Sequence, residues 1–259
     1  MKRAARHALR ELNLEEPGAS GLFGTVVGTT ELVNQIGLDG DTNLTQTRRI
    51  LMLAESVSLR EPEQHDVLRE AISARYLYDQ SDGPVPRFLL NDVVRYWRTV
   101  TVDYQAKRWE EVEGDKWGLR LLKLRSSRKW TFAGTVASLL LPALREEARP
   151  DAAWLADQWT IPPLARLAQL EPFLDDRGRE SLRAVLASCN TLISALTSND
   201  VRREAKGLTH PSEATEGSQL ATAYVETHTL HERITELFLG QVGHPPNQLN
   251  GLARQYLVF

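Results

Sequence analysis

The chain has 259 residues, 42% of them hydrophobic and 25% charged, with a formal net charge of -3. That balance belongs to a globular protein with a substantial core and room for one large domain or two small ones. It excludes a disulfide scaffold, because Cys189 is alone, and a membrane anchor, because the longest nearly uncharged run, TFAGTVASLLLPAL at 131–144, is too short to span a bilayer.

At the N-terminus, MKRAARHALRELNLEE mixes Lys and Arg with Glu and lacks the apolar segment and small-residue cleavage site of a secretory signal. The cytoplasm is the expected compartment. A short helix there precedes LFGTVVG at 22–28, the one candidate strand, bounded by glycines. The cluster LDGDTN at 38–43 follows. Asp39, Asp41 and Asn43 stand at alternate positions of a calcium loop, but Leu44 replaces the turn glycine and Ile50 the bidentate glutamate. A nucleotidyltransferase site would need a Gly-Ser turn closely followed by an Asp-x-Asp pair. Gly18-Ala19-Ser20 and Asp39-Gly40-Asp41 are far apart and lack a β-branched strand. The plainer reading is that Asp41 or Thr42 caps a helix starting at Leu44.

From there apolar residues recur at helical spacing: Leu44, Ile50, Leu51 and Val57; Val67, Leu68, Ile72 and Tyr76; Leu90, Val93, Trp97, Val100 and Tyr104. The run at 131–144 reads as core helix, although Pro142 interrupts it. Leu182, Val185, Cys189, Leu192 and Leu196 continue the period, as do Leu220, Tyr224, Leu230, Ile234 and Leu237. Prolines and glycines punctuate these segments, and no internal repeat or low-complexity tract is visible. The predicted fold is an all-α, multi-helix bundle with at most a short strand near 22–28. Its predicted regions are an N-terminal helix and connection (1–40), a basic helical core (41–148) and a C-terminal helical region packed on it (149–259). Trp97, Val100, Leu121 and Leu124 are expected in one core.

The basic core carries the strongest chemical signal. KWGLRLLKLRSSRKW at 116–130 holds Lys116, Arg120, Lys123, Arg125, Arg128 and Lys129 and no acid. On an α-helix, Lys116, Arg120 and Lys123 line one side, while Arg125, Arg128 and Lys129 share the opposed arc with Leu121. A solvated face does not require cations on two opposed sides. One reading is structural, with Asp92, Asp103 and Glu55 as partners and Arg125 set against Asp92 or Asp103. The other is an internal wall for phosphates. Two weaker constellations remain. His228, His231 and Glu232 lie within one helical turn but lack a third strong ligand, so exposed or hydrogen-bonded histidines are the better reading. Arg203 and His210 have the loose spacing of a HEPN-type ribonuclease, but Gly207 and Pro211 end the helix between them.

The segments NLTQTRRILMLAESVSL, PRFLLNDVVRYWRTVTVDYQAK, KWGLRLLKLRSSRKW and LARQYLVF resemble the helical region of bacterial nucleotidyltransferase-like proteins, from about Phe23 onward. In that family a Gly-Ser and Asp-x-Asp catalytic domain precedes a helical substrate-binding part. The arrangement is similar to kanamycin nucleotidyltransferase, whose helical domain is related to HEPN domains. The resemblance marks Arg48, Arg49, Glu55, Asn91, Asp92, Arg95, Trp97, Arg98, Asp103, Lys116, Trp117, Arg120, Lys123, Arg125, Arg128 and Lys129 as the functional or structural centre. It implies a nucleotide- or phosphate-binding helical module in which Arg95, Arg98, Lys116, Arg120, Lys123, Arg125 and Arg128 hold the ligand and Glu55, Asp92 and Asp103 support them. The catalytic acids are missing, so no catalytic residue is assigned, no metal and no cofactor is expected in this chain, and magnesium would enter with a nucleotide only through a catalytic domain supplied elsewhere. Implied partners are a nucleotide or other phosphate ligand, a nucleotidyltransferase domain, or a second copy of the chain. The alternatives are a HEPN-like ribonuclease, a degenerate nucleotidyltransferase, and a helical protein-interaction domain.

Overall fold

The computed structural model describes Glu11 and residues 27–78, 83–110, 116–147 and 149–257, with the backbone alone at 107–110. These residues form helices and short connections, with no strand among them. The strand candidate at 22–28 falls mostly outside the described residues, as does the helix expected before it. In chain order the helices are α1 (Thr29–Asn34), α2 (Asn43–Glu55), α3 (Pro62–Tyr78), α4 (Arg87–Glu110) and α5 (Trp117–Lys123). A π-helical turn, Leu124–Arg128, joins α5 to α6 (Lys129–Leu144). Then come α7 (Ala152–Thr160), α8 (Pro163–Ala168), α9 (Asp176–Thr197), α10 (Asn199–Lys206), α11 (Gln219–Leu239) and α12 (Gln248–Leu257).

Side-chain oxygens start many of these helices by accepting a backbone N–H that the first turn leaves without a partner. Thr42 accepts from Thr45 N at 3.2 Å and so caps α2. Asp151, Asp175, Ser198 and Ser218 do the same for α7, α9, α10 and α11. Pro163 opens α8, where its fixed φ and missing N–H cost nothing.

Helix α6 is apolar on every side and therefore central. Leu139, Leu140 and Val136 are almost wholly buried, each stabilising the fold by about 1.5–3 kcal/mol relative to exposure. Around α6 pack α4, α8 and α12, and α9 runs beside α11. One continuous hydrophobic cluster extends from Leu32 in α1 to Ala253 in α12. Pro142 does not end α6, which continues to Leu144, because in the last turn the missing N–H removes a single intrahelical bond. Cys189 is buried in that cluster, and burial, with Glu226 adding, pushes its thiol up to about 12. Val100 and Leu121 join the cluster. Trp97 is half-buried and stacks on Phe132 with ring centroids 5.2 Å apart, and Leu124 is half-buried at the start of the π-helical turn.

The approach of α8 to α6 depends on one missing side chain. A Cβ at Gly134 would stand 2.3 Å from the Pro163 carbonyl oxygen. Gly134→Ala should therefore cost about 1–3 kcal/mol in urea unfolding. Gly251→Ala, in α12 with open space around it, should instead stabilise by about 0.5–1 kcal/mol.

Candidate functional site

Two groups of charges in the first half of the chain are internally matched. Arg49 on α2 is fully buried. It donates from Nε to Leu32 O (2.9 Å), from Nη2 to Asp41 Oδ1 (2.5 Å) and from Nη1 to Asp41 Oδ2 (3.1 Å) and the Tyr76 hydroxyl (3.0 Å). Tyr76 in turn donates to Asp92 Oδ2 (2.7 Å), and Arg95 bridges Asp92 Oδ1 (3.0 Å) and Asn43 Oδ1 (2.8 Å). Burial pushes the Asp92 carboxyl above the usual aspartate value, against the hydrogen bond from Tyr76 and the pull of Arg95 and Arg49. Two carboxylates face two guanidiniums here, so the group is neutral and structural. Asp41, held in a two-pronged grip by Arg49, is a partner of α2 and not an open metal ligand. The second group is smaller: Glu55 accepts from the Tyr96 hydroxyl (2.8 Å) and from Arg128 Nη1.

The π-helical turn explains why the basic segment departs from its expected geometry. Widening one turn of the helix shifts the phase of everything after it. Arg128 therefore reaches Glu55 on α2, whereas Arg125 and Lys129 turn toward α11, and the three do not share one arc. Nor does Arg125 meet Asp92 or Asp103: its Nη1 lies 3.4 Å from His228 Nε2. Lys116 starts α5 in a left-handed conformation (φ 83°), with its N–H on Lys206 O at 3.0 Å. On α5, Arg120 is half-buried and Lys123 exposed; on α4, Arg98 is exposed and Asp103 half-buried. The seven expected ligand-binding cations thus lie in several places, and Arg95 and Arg128 are taken up by carboxylates.

Among the described residues, Lys129 stands without a counter-charge in a cleft between α4, α6 and α11. Lys129 lines a cavity of about 290 Å³ with Trp97, Phe132, His231, Ile234 and Phe238. Burial, with Arg125 adding, holds its ammonium down to about 8, and among the described residues no carboxylate acts on it. His231 is kept below its ordinary value by burial, then by Lys129 and His228. Two cations, Arg125 and Lys129, with His228 and His231 beside them, therefore stand at the edge of an apolar cavity. They suit an anion and repel a metal ion. Among the described residues, no three His, Cys, Asp or Glu side chains are placed to hold a metal.

The spacing of Arg203 and His210 does not put them on one helix. Arg203 pairs with Asp200 on the exposed face of α10 (2.8 Å), while His210 lies beyond the helix end and stacks on Trp117 at 6.2 Å. Spacing alone does not join His228 and His231 to the basic segment, because a contact 103 residues long leaves no trace in it. No protein-family model, curated protein or solved structure matches this chain. No helix among the described residues is long and apolar enough to cross a membrane.

Removing one member of the matched group leaves a buried charge alone, so Arg49→Ala or Asp92→Ala should cost about 3–5 kcal/mol in chemical unfolding. Lys129 should behave oppositely. Lys129→Met removes a poorly solvated charge with no acid partner and should stabilise the fold at pH 7 by roughly 1 kcal/mol. Between about 8 and the ordinary lysine value of 10.5 the unfolded chain binds a proton that the folded chain does not. The parent's stability therefore rises with pH across that window. The advantage of Lys129→Met should shrink accordingly in melts taken from pH 7 to pH 10.

Proposed function

We propose that this chain is a helical binding module for a phosphate-bearing ligand, a nucleotide first, seated in the cleft between α4, α6 and α11. The carrying observation is Lys129: half-buried, acted on by no carboxylate, beside Arg125, and facing an apolar cavity with an aromatic wall. Keeping a lysine in such a place is unfavourable until an anion enters, and its compact ammonium with the planar guanidinium of Arg125 suits phosphate oxygens. Trp97 and Phe132 offer a flat apolar surface to the base. Catalysis in this reading belongs to a nucleotidyltransferase domain on another chain or segment, in keeping with the family the sequence resembles.

The test is a titration with ADP at low salt. Binding should raise the melting temperature, weaken with added salt because the attraction is partly screened, and weaken as pH rises through about 8, where Lys129 loses its proton. Arg125→Ala and Lys129→Met should abolish the response, and Trp97→Ala should weaken it about tenfold, in line with about 1–3 kcal/mol for a stacked base. An ADP response that survives Lys129→Met would overturn the assignment.

A further inference from the structure

A second pocket lies on the other side of α6, between α2, α3, α7 and α8. It encloses about 670 Å³ and is lined by Ser56, His65, Asp66, Arg69, Thr160 and Arg166 among others. Its two arginines are buried, Arg69 at 7% exposure and Arg166 at 2%. Arg166 donates from Nε to Ile161 O (2.7 Å), from Nη2 to Trp159 O (3.1 Å) and from Nη1 to the Thr135 hydroxyl (3.3 Å). All three acceptors are neutral. Burial, with Arg69 adding, holds Arg166 down to about 10.

Arg69 is little better matched. Its Nη2 donates to Ser56 O at 2.8 Å, its Nη1 reaches Asp66 Oδ1 only at 3.4 Å, and its buried Nε has no acceptor. Asp66 is 59% exposed and so turned largely to solvent, where a carboxylate does little for a buried cation. Glu55, also on the wall, is committed to Arg128 and Tyr96. Two buried guanidiniums that repel one another, with spare donors, thus share one open pocket and one weak acid.

Ser56 and His65 add a hydroxyl and an imidazole, Oγ to Nε2 at 2.7 Å. With Asp66 the trio has the residue types of a hydrolytic triad but not its geometry. His65 Nδ1 stands 3.8 Å from Asp66 Oδ1, too far for a hydrogen bond, and Ser56 Oγ also donates to Met52 O, which commits its proton. The pair is a wall of the pocket and not a nucleophile and base.

We infer that this pocket binds a tetrahedral oxyanion, the phosphate group of a small phosphomonoester, through Arg69 and Arg166, with Asp66 as the exposed acid that the ligand displaces from Arg69. Fork-shaped donors match phosphate oxygens in pairs. The volume exceeds what a bare phosphate fills, so an organic remainder fits beside it, along Pro162 and Pro163. This site stands on residues separate from the cleft of Arg125 and Lys129.

Calorimetric titration of the whole chain with inorganic phosphate and with glycerol 3-phosphate tests the inference, using the parent, Arg69→Gln, Asp66→Asn and Lys129→Met. Both probes should bind the parent, glycerol 3-phosphate the more tightly. Equal affinities would still support the site and assign it to free phosphate. Introduced into Lys129→Met, so that the cleft contributes no heat, Arg69→Gln should abolish binding of both. Asp66→Asn, a change on an exposed side chain that leaves the fold intact, should tighten binding roughly fivefold by removing the competing acid. Lys129→Met alone should still bind both probes while losing the ADP response, which separates this pocket from the ADP site. No heat from either probe with the parent, unchanged binding in Arg69→Gln, or no tightening in Asp66→Asn would each overturn it.

Discussion

The first half of the molecule turns on the buried guanidinium of Arg49. One side chain ties the end of α1, the loop before α2, the last turn of α3 and, through Asp92, the start of α4. Such a charge persists in the interior only when its donors are satisfied and its charge is matched, and Asp41, Asp92 and Tyr76 do both. The consequence is positional. Because Asp92 is fixed, Arg95 and Tyr96 on the next turn are fixed, and Tyr96 then helps to hold Glu55 against Arg128. The matched charges thus set how α2, α3 and α4 stand around α6, and α6 carries both proposed sites.

The π-helical turn at Leu124–Arg128 divides the basic segment between two fates. Had α5 run into α6 without it, Arg125, Arg128 and Lys129 would have shared an arc and competed for the same acids. The extra residue sends Arg128 to Glu55 and leaves Arg125 and Lys129 beside the histidines of α11. Ser126, at the centre of the turn, donates its hydroxyl to Leu122 O, occupying a carbonyl that the wide turn loosens. The same stretch of sequence therefore supplies a structural cation and a cationic cleft, separated by a change of helical phase and not by composition.

The helical nature of the chain was legible because the three-to-four spacing runs through residues such as Ile72, Val93, Val185 and Leu230, all buried. Thr42 as a cap was legible from its place before Leu44. Glu55 and Asp92 were rightly grouped with arginines, but their partners were not, because pairing needs the phase of each helix and the π-helical turn breaks that phase. Arg49 entered only through the family resemblance. Its role as the buried hub rests on Asp41 and Leu32 from loops and helices that periodicity does not orient. Arg69 and Arg166 passed unnoticed, although Arg166 stands inside the apolar run PPLARLA. A lone arginine in an apolar helical segment is a signal, since such a side chain is buried only where something satisfies it.

Charge matching gives the sharpest contrast between structural and functional arginines in this molecule. Around Arg49 the carboxylates are themselves buried, so the low dielectric that makes an unpaired charge costly also strengthens the pairing. Around Arg69 and Arg166 the one uncommitted acid among the described residues, Asp66, faces solvent, and carbonyl oxygens fill the gap with dipoles instead of charge. Carbonyls satisfy N–H donors but do not cancel a net positive field. Lys129 shows the same imbalance at the cleft, where burial first and then Arg125 hold its ammonium down. The two unmatched places both open onto cavities, whereas the guanidinium of Arg49 is wholly buried among its partners. That correlation is what an anion-binding role predicts, because a binding protein must leave the last counter-charge for the ligand to supply.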